Sequence, residues 1–231
     1  LLHETLRRIV ERHAPLRTRF EVERDPPEQE VLAEVPVDLT QIDLRAVADP
    51  EERERQLRAL LAEQQALPFA VAQPPLFRFH LTQLAEDEHV LFTSFSPLAF
   101  DGWSFDVFWQ EMRLGYAALV EQQPWPFSPL TIEYADFVAW QRSRLAASDA
   151  ALGAFWRERL GEELPPLPLP TDRPRPRLPT TRGGSIPFEL PPPLAAHLRG
   201  AARTLGVTPQ MLLLAGLYAF LHRAGGEERI L

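Results

Sequence analysis

Phe95-Ser96-Pro97-Leu98-Ala99-Phe100-Asp101-Gly102-Trp103-Ser104 is the stretch on which the fold turns. The residues before it, 90–95, form an apolar run of strand length. Further back, Leu76, Arg78, His80 and Thr82 alternate with Phe77, Phe79 and Leu81. The turn Ala85-Glu86-Asp87-Glu88 separates the two runs, and together they predict a β-hairpin. After it, Asp101-Gly102 punctuates the end of the strand. Ser104 is placed to cap a helix running to about Gln122, with Asp106 in a first turn that favours negative charge. A rigid strand feeding a short loop and then a helix is a frequent way of presenting reactive groups.

Working outward, Leu2, Leu6, Ile9 and Val10 recur at helical spacing, which predicts an amphipathic helix over 1–13 that Pro15 stops. Arg17-Thr18-Arg19-Phe20-Glu21-Val22-Glu23 alternates like a strand. A charged helix is expected over 51–66 with Leu57, Leu60 and Leu61 inward. Two more helices are expected over 131–147 and 149–161. Residues 164–193 differ in kind, holding eleven of the 24 prolines plus Gly183 and Gly184. Such a segment is stiff and resists helix formation. Leu164, Leu167, Leu169, Ile186 and Phe188 are its expected anchors. Beyond it lie two helices, over 193–205 and 208–223. The second has Thr208 as cap, Pro209 in its first turn, His222 and Arg223 near its end, and Gly225 to stop it.

The pattern predicts an α/β chain with a lobe over 1–163, a Pro-rich crossing segment over 164–192, and the start of a second lobe over 193–231. Leu1 already lies in a helical pattern and Leu231 ends an apolar pair. The chain is therefore expected to be part of something longer.

Composition narrows the function. Of 231 residues, 45% are hydrophobic and 24% charged, as in a globular protein. The formal charge of −8 argues against nucleic acid as a partner. There is no cysteine, so disulfides, thiolate metal sites and a cysteine nucleophile are excluded. A reducing, cytoplasmic setting fits that. The longest apolar run, 211–221, is short of the roughly 20 residues a membrane span needs. No signal peptide opens the chain. The histidines His3, His13, His80, His89, His197 and His222 form no metal-type pair, so no metal site is expected. Gly183-Gly184 lacks the lysine and helix of a phosphate loop.

The quoted stretch resembles the active-site motif of the condensation domains of nonribosomal peptide synthetases: two histidines, three variable residues, then Asp-Gly, often followed by Trp-Ser. Asp101, Gly102, Trp103 and Ser104 match. The histidine pair falls on Ser96 and Pro97, which do not. Arg12-His13-Ala14-Pro15-Leu16-Arg17-Thr18-Arg19-Phe20 is similar to the family's second motif, and Tyr134-Ala135-Asp136-Phe137-Val138-Ala139-Trp140-Gln141 to its fourth. Leu169-Pro170-Thr171-Asp172-Arg173-Pro174-Arg175-Pro176, then Arg182-Gly183-Gly184, resembles the segment leading to its second lobe.

The resemblance implies a chloramphenicol acetyltransferase-like two-layer lobe. It implies transfer of an acyl or peptidyl group to an amine, both substrates being tethered to the phosphopantetheine arms of carrier proteins, with no cofactor bound by the domain itself. Its implied partners are peptidyl carrier proteins and neighbouring synthetase domains. The family's second histidine is the expected general base, and proline has no ionisable side chain to replace it. Ser96 has a hydroxyl but no sequence neighbour to activate it. The family's aspartate implies an ion pair of Asp101 with Arg17 that shapes the loop. Gly102 is expected to meet a close backbone approach or a positive φ. Trp103 is expected in the core, and Tyr134, Phe137 and Trp140 as a packing face. His13 is expected to be structural and His80 half-buried or exposed. A catalytically silent spacer or recruitment module, and a coenzyme A-dependent acyltransferase, are the alternative functions.

Overall fold

The computed structural model describes all residues except 162–166, 168, 170, 175, 179–182 and 231. The anchor Leu164 and parts of the segment resembling the lobe connection, including Arg182, thus lie outside the described residues. Two compact units are present, Leu1–Ala147 and Ser148–Leu231.

In the first unit, helix α1 (Leu2–Arg12) carries the anticipated stripe, and Leu6, Ile9 and Val10 are all buried. A single 3-10 turn (Ala14–Arg17) with Pro15 in its first turn follows. Strand β1 (Thr18–Glu21) then pairs antiparallel with β2 (Glu28–Val31). Strand β3 (Leu39–Asp43), helix α2 (Pro50–Ala66) and strand β4 (Phe77–Gln83) form one unit in which β3 and β4 are parallel. A parallel pair needs such a crossover, because a tight turn cannot reverse the chain twice. Strand β5 (His89–Phe95) returns antiparallel to β4, Phe77 facing Phe95 and Gln83 facing His89, so the sheet order is β3-β4-β5. The hairpin was legible; β2 and β3 were not.

Two apolar clusters hold this unit together. In the first, Phe77 and Phe79 of β4 meet Leu6, Ile9 and Val10 of α1 and Phe108 and Met112 of α3 (Gly102–Val120). In the second, Leu57 of α2 meets Leu44 and Leu84, with Leu60, Leu61 and Val90 packed around them. The adjacent residues Val90 and Leu91 of β5 serve different clusters, as alternation along a strand requires. His80 lies on the sheet at 9% exposure, against Phe92, so it is buried rather than half-exposed.

Gly115 of α3 is where the chain cannot carry a side chain. A Cβ there would clash with the Trp125 ring, which packs on the first cluster and receives the guanidinium of Arg8 at 5.3 Å. The aromatic ring thus seats directly on helix backbone.

Residues 134–160 form one continuous helix, α4 (Tyr134–Leu160), where two helices were expected. Ser148-Asp149 lies at the expected break, yet both residues are good enough helix members when the flanking turns continue. In the second unit α5 (Pro192–Leu205) ends on Gly206 in the left-handed conformation, φ 67°. Helix α6 (Pro209–Gly225) starts as expected, the Thr208 hydroxyl accepting from the Met211 N–H at 3.2 Å, and ends on Gly226, φ 76°. Met211, Leu213, Leu214, Leu217, Tyr218 and Phe220 of α6 are all exposed. No single helix among the described residues is long and apolar enough to cross a membrane.

Candidate active site

The loop between β5 and α3 is fixed at both ends. The Ser96 N–H donates to the Leu76 carbonyl at 2.9 Å, extending the β4–β5 pairing by one bond. The Ala99 N–H donates to the Ser96 carbonyl at 3.0 Å and closes a turn over 96–99. Phe95 and Phe100, on either side of that turn, stack with centroids 3.8 Å apart and planes 7° from parallel. Phe105 and Phe108 of α3 then pack edge-on against Phe100. An aromatic cluster thus clamps the base of the loop, while its crest, Pro97-Leu98, is exposed.

Ser96 is 4% exposed, and its Oγ accepts from the Leu98 N–H at 3.4 Å. That contact is long and local, and no imidazole or carboxylate among the described residues engages the hydroxyl. Pro97 offers no proton acceptor. The two motif positions therefore supply neither an activated nucleophile nor a base.

Asp101 is the N-cap of α3. Its Oδ1 accepts from the Ser104 N–H at 2.8 Å and from the Ser104 hydroxyl at 2.6 Å, while the Asp101 N–H donates back to Ser104 Oγ at 3.3 Å. This reciprocal box satisfies helix-end donors that would otherwise be orphaned. The Ser104 hydroxyl, then its backbone N–H, hold the Asp101 carboxyl below the usual carboxylate range. Asp101, not Ser104, is the cap, and the helix begins three residues earlier than expected.

The expected ion pair of Asp101 with Arg17 is not formed. Asp101 is exposed and occupied by its own helix. The Arg17 guanidinium instead donates to the carbonyls of Leu32 and Ala33, the latter at 3.2 Å, fastening the chain just past β2. Asp101 is met by Ser104 and the Arg17 terminal nitrogen by backbone carbonyls, while Arg17 Nε is buried without a partner among the described residues. Gly102 also departs from expectation: it has no positive φ, and a Cβ there would meet nothing within 4 Å. Nothing in the structure requires glycine at that position. Trp103 projects from the first turn of α3 at 78% exposure and is not a core residue. Tyr134, Phe137 and Trp140 do share one face of α4, with Phe137 5.9 Å from Tyr134 and 5.7 Å from Trp140, but all three are exposed.

The polar centre that sequence reasoning missed is Glu111. Its side chain is 8% exposed and bridges two residues of the second motif. Arg12 Nε donates to Oε1 at 2.9 Å, and His13 Nε2 lies 2.8 Å from Oε2. Arg12 also donates to the Ser128 carbonyl. Burial pushes the Glu111 carboxyl up, but His13 and then Arg12 outweigh it and hold it below the ordinary value. His13 is thus tied to α3 through Glu111. A signal for Glu111 existed: it lies on the buried stripe of α3, three residues after Phe108 and one before Met112.

A cavity of about 260 Å³ opens beside the loop, its walls including Ala99, Phe100 and Trp103, the motif residues His13 and Leu16, and Glu133 and Tyr134 at the start of α4. Neither Ser96 nor Pro97 lines it. Among the described residues, no group of three or more His, Asp or Glu stands ready to hold a metal ion.

A mixed sheet packed against helices, with a strand-to-helix loop carrying the motif positions, is the chloramphenicol acetyltransferase-like arrangement seen in solved relatives. The chain belongs to the condensation domain family, whose model matches residues 1–231. It is 35% identical over its whole length to phosphinothricin tripeptide synthetase PhsB of Streptomyces viridochromogenes, covering 19% of that protein. It is 34% identical to malpibaldin synthetase of Mortierella alpina over 98% of the chain and 4% of the relative. The X-domain from teicoplanin biosynthesis superposes with a TM-score of 0.81 at 30% identity, over 97% of this chain and 49% of that one. The same kind of domain has also been solved in complex with OxyB (TM-score 0.80, 30% identity, 97% of this chain, 49% of that one). The first condensation domain of the calcium-dependent antibiotic synthetase, bound to a substrate analogue, matches with a TM-score of 0.73 at 26% identity, over 99% and 53%. The chain therefore spans a fifth or less of these curated relatives and about half of the solved chains.

Proposed function

We propose that this chain is part of a condensation-like domain of a nonribosomal peptide synthetase that has lost its general base and does not form amide bonds. One observation carries the reading: a domain of this family has Pro97 where the family's second motif histidine stands, at the crest of an otherwise well-built loop. The family reaction transfers a carrier-tethered acyl or peptidyl group to an amine, and the attacking amine must lose a proton. Neither Pro97 nor the locally engaged Ser96 accepts one. Asp101 is committed to capping α3 and takes a structural role. Arg17, Gly102, Trp103 and Ser104 complete the loop and its surroundings without supplying a base.

The substrates of such a domain arrive on the phosphopantetheine arms of peptidyl carrier proteins in the cytoplasm, and neighbouring synthetase domains are its partners. The test is a reconstitution of the parent domain with a loaded donor carrier and a loaded acceptor carrier, read by mass spectrometry of the tethered product. No product above the carrier-only background is expected. Turnover that disappears on Ser96→Ala would overturn the reading, because Ser96 would then be a working group.

A recruitment role is the second reading, and the likeness to an X-domain solved with OxyB favours it. On this reading the domain holds a partner enzyme next to carrier-bound peptide. Measured binding between the parent domain and the free-standing enzymes of its own assembly line tests it. Absence of binding at tens of micromolar with every such enzyme removes this second reading and leaves the spacer role.

A further inference from the structure

Arg113 of α3 stands apart from the arginines that precede it in the chain. Each of those is engaged by a carboxylate or a backbone carbonyl. Arg113 is exposed and meets no acceptor among the described residues. Its own helix cannot supply one. The positions three and four residues away are Trp109, Gln110, Tyr116 and Ala117, none of them acidic.

Arg113 lines a second cavity, of about 470 Å³. Trp109, Arg113 and Tyr116 come from one face of α3, spaced as successive turns require. Met112 is its buried member, and Leu2 of α1, Leu81 of β4 and His89 of β5 complete it. All these residues belong to the first unit. The cavity shares no residue with the one beside the motif loop. His89 faces Gln83, at the end of the hairpin remote from that loop, which follows the Phe77–Phe95 end.

The lining has one electrostatic sense. No Asp or Glu contributes to it, so its only formal charge is positive, whatever the state of His89. The Trp109 indole N–H, the Tyr116 hydroxyl and the His89 ring can each donate as well. A cation placed here is repelled by Arg113, and a neutral molecule leaves the guanidinium as water leaves it. A carboxylate matches the guanidinium fork with two parallel hydrogen bonds. Trp109 and Tyr116 are half-exposed, and their rings offer apolar area to an aromatic body. We propose that this cavity binds a free, small monocarboxylate with a single-ring body, the carboxylate on Arg113 and the ring against Trp109 and Tyr116. The volume suits one ring and a short chain. The site does not depend on whether the domain forms amide bonds.

Phenylacetate, phenethyl alcohol, phenethylamine and acetate make the probe set, titrated into the parent domain by ligand-observed NMR. A ligand of this size is expected to bind with a Kd of roughly millimolar order. Phenylacetate is expected to bind roughly three- to fivefold more tightly than the alcohol, the gain open to an ion pair in contact with water. That margin is expected to shrink as salt is raised to about 1 M, with the alcohol unaffected. The amine is expected to bind more weakly than the alcohol, and acetate not detectably. Arg113→Gln is expected to bring phenylacetate down to the affinity of the alcohol while leaving the alcohol unchanged. Trp109→Ala is expected to weaken both, with circular dichroism confirming that each variant folds. Equal affinity for acid and alcohol on the unmodified domain overturns the proposal without reference to any variant. So does a phenylacetate affinity that Arg113→Gln leaves unaltered, or no binding of phenylacetate at about 10 mM.

Discussion

Replacing Glu111 by alanine is the sharpest test of how the second motif is held against α3. Two charge-assisted contacts vanish together, from Arg12 at 2.9 Å and from His13 at 2.8 Å. The carboxylate is 8% exposed, Arg12 16% and His13 23%, so all three are largely out of water. Removing one partner of a buried ionic cluster costs roughly 3–5 kcal/mol, because the survivors keep their desolvation without compensation. Arg12 retains the Ser128 carbonyl, and both survivors reach some solvent, which places Glu111→Ala at the low end, about 3 kcal/mol. At roughly 2–4 °C per kcal/mol for a chain of this size, the melting temperature should fall by roughly 6–12 °C. Glu111→Gln keeps the shape and one acceptor and should lose about half as much. Circular dichroism melting gives the magnitude, and amide hydrogen exchange should show the loss of protection concentrated in α1 and α3. The Glu111 carboxyl is held below its ordinary 4.5 in the fold, so its contribution is complete above that pH and declines as pH falls through the lowered value. A melting temperature within about 1 °C of the parent, below what even one lost charged hydrogen bond implies, would refute the reasoning.

Gly115→Ala should destabilise by roughly 1–3 kcal/mol by driving Trp125 off the helix, with tryptophan emission shifting to the red; unchanged emission would remove the steric argument. His80→Phe should flatten the acid side of the stability profile. Burial, then the Arg78 charge, lowers the His80 pKa below 6.5, so the fold favours the neutral ring and loses stability as pH drops below 6.5 toward the lowered value; parallel pH profiles of parent and variant from pH 7.5 to 5 would contradict this. Asp101→Ala and Arg17→Ala should each lower the melting temperature and do so additively, since the two side chains do not meet; strong coupling in the double variant would restore the ion pair. The exposed apolar face of α6 should make the 231-residue chain bind hydrophobic dyes and self-associate; a dye-silent monomer in sizing experiments would count against that.

The elements legible in the sequence were those whose signal is local. Phe77, Phe79 and Leu81 alternate, and β4 follows; Thr208 and Pro209 announce α6. Strand β3 was not legible because Leu39-Thr40-Gln41-Ile42-Asp43 is short and gains its partner only across a helix, at Phe79 to Gln83. The same distance hid Glu111, whose partners Arg12 and His13 lie 99 and 98 residues earlier in the chain. The family resemblance misassigned one contact, that of Asp101 with Arg17. Asp101 was expected to reach across to Arg17, whereas the nearest unmet donors were those of its own helix. Trp103 looked like core from its size alone, but the first turn of α3 points it outward.

The local closure of the β5–α3 loop bears on how such a domain drifts. Its shape depends on the Phe95–Phe100 stack, the Asp101–Ser104 box and the Ser96–Ala99 turn, in which Pro97 takes the second position that a ring-fixed φ suits. Proline at the crest is therefore compatible with the closed loop.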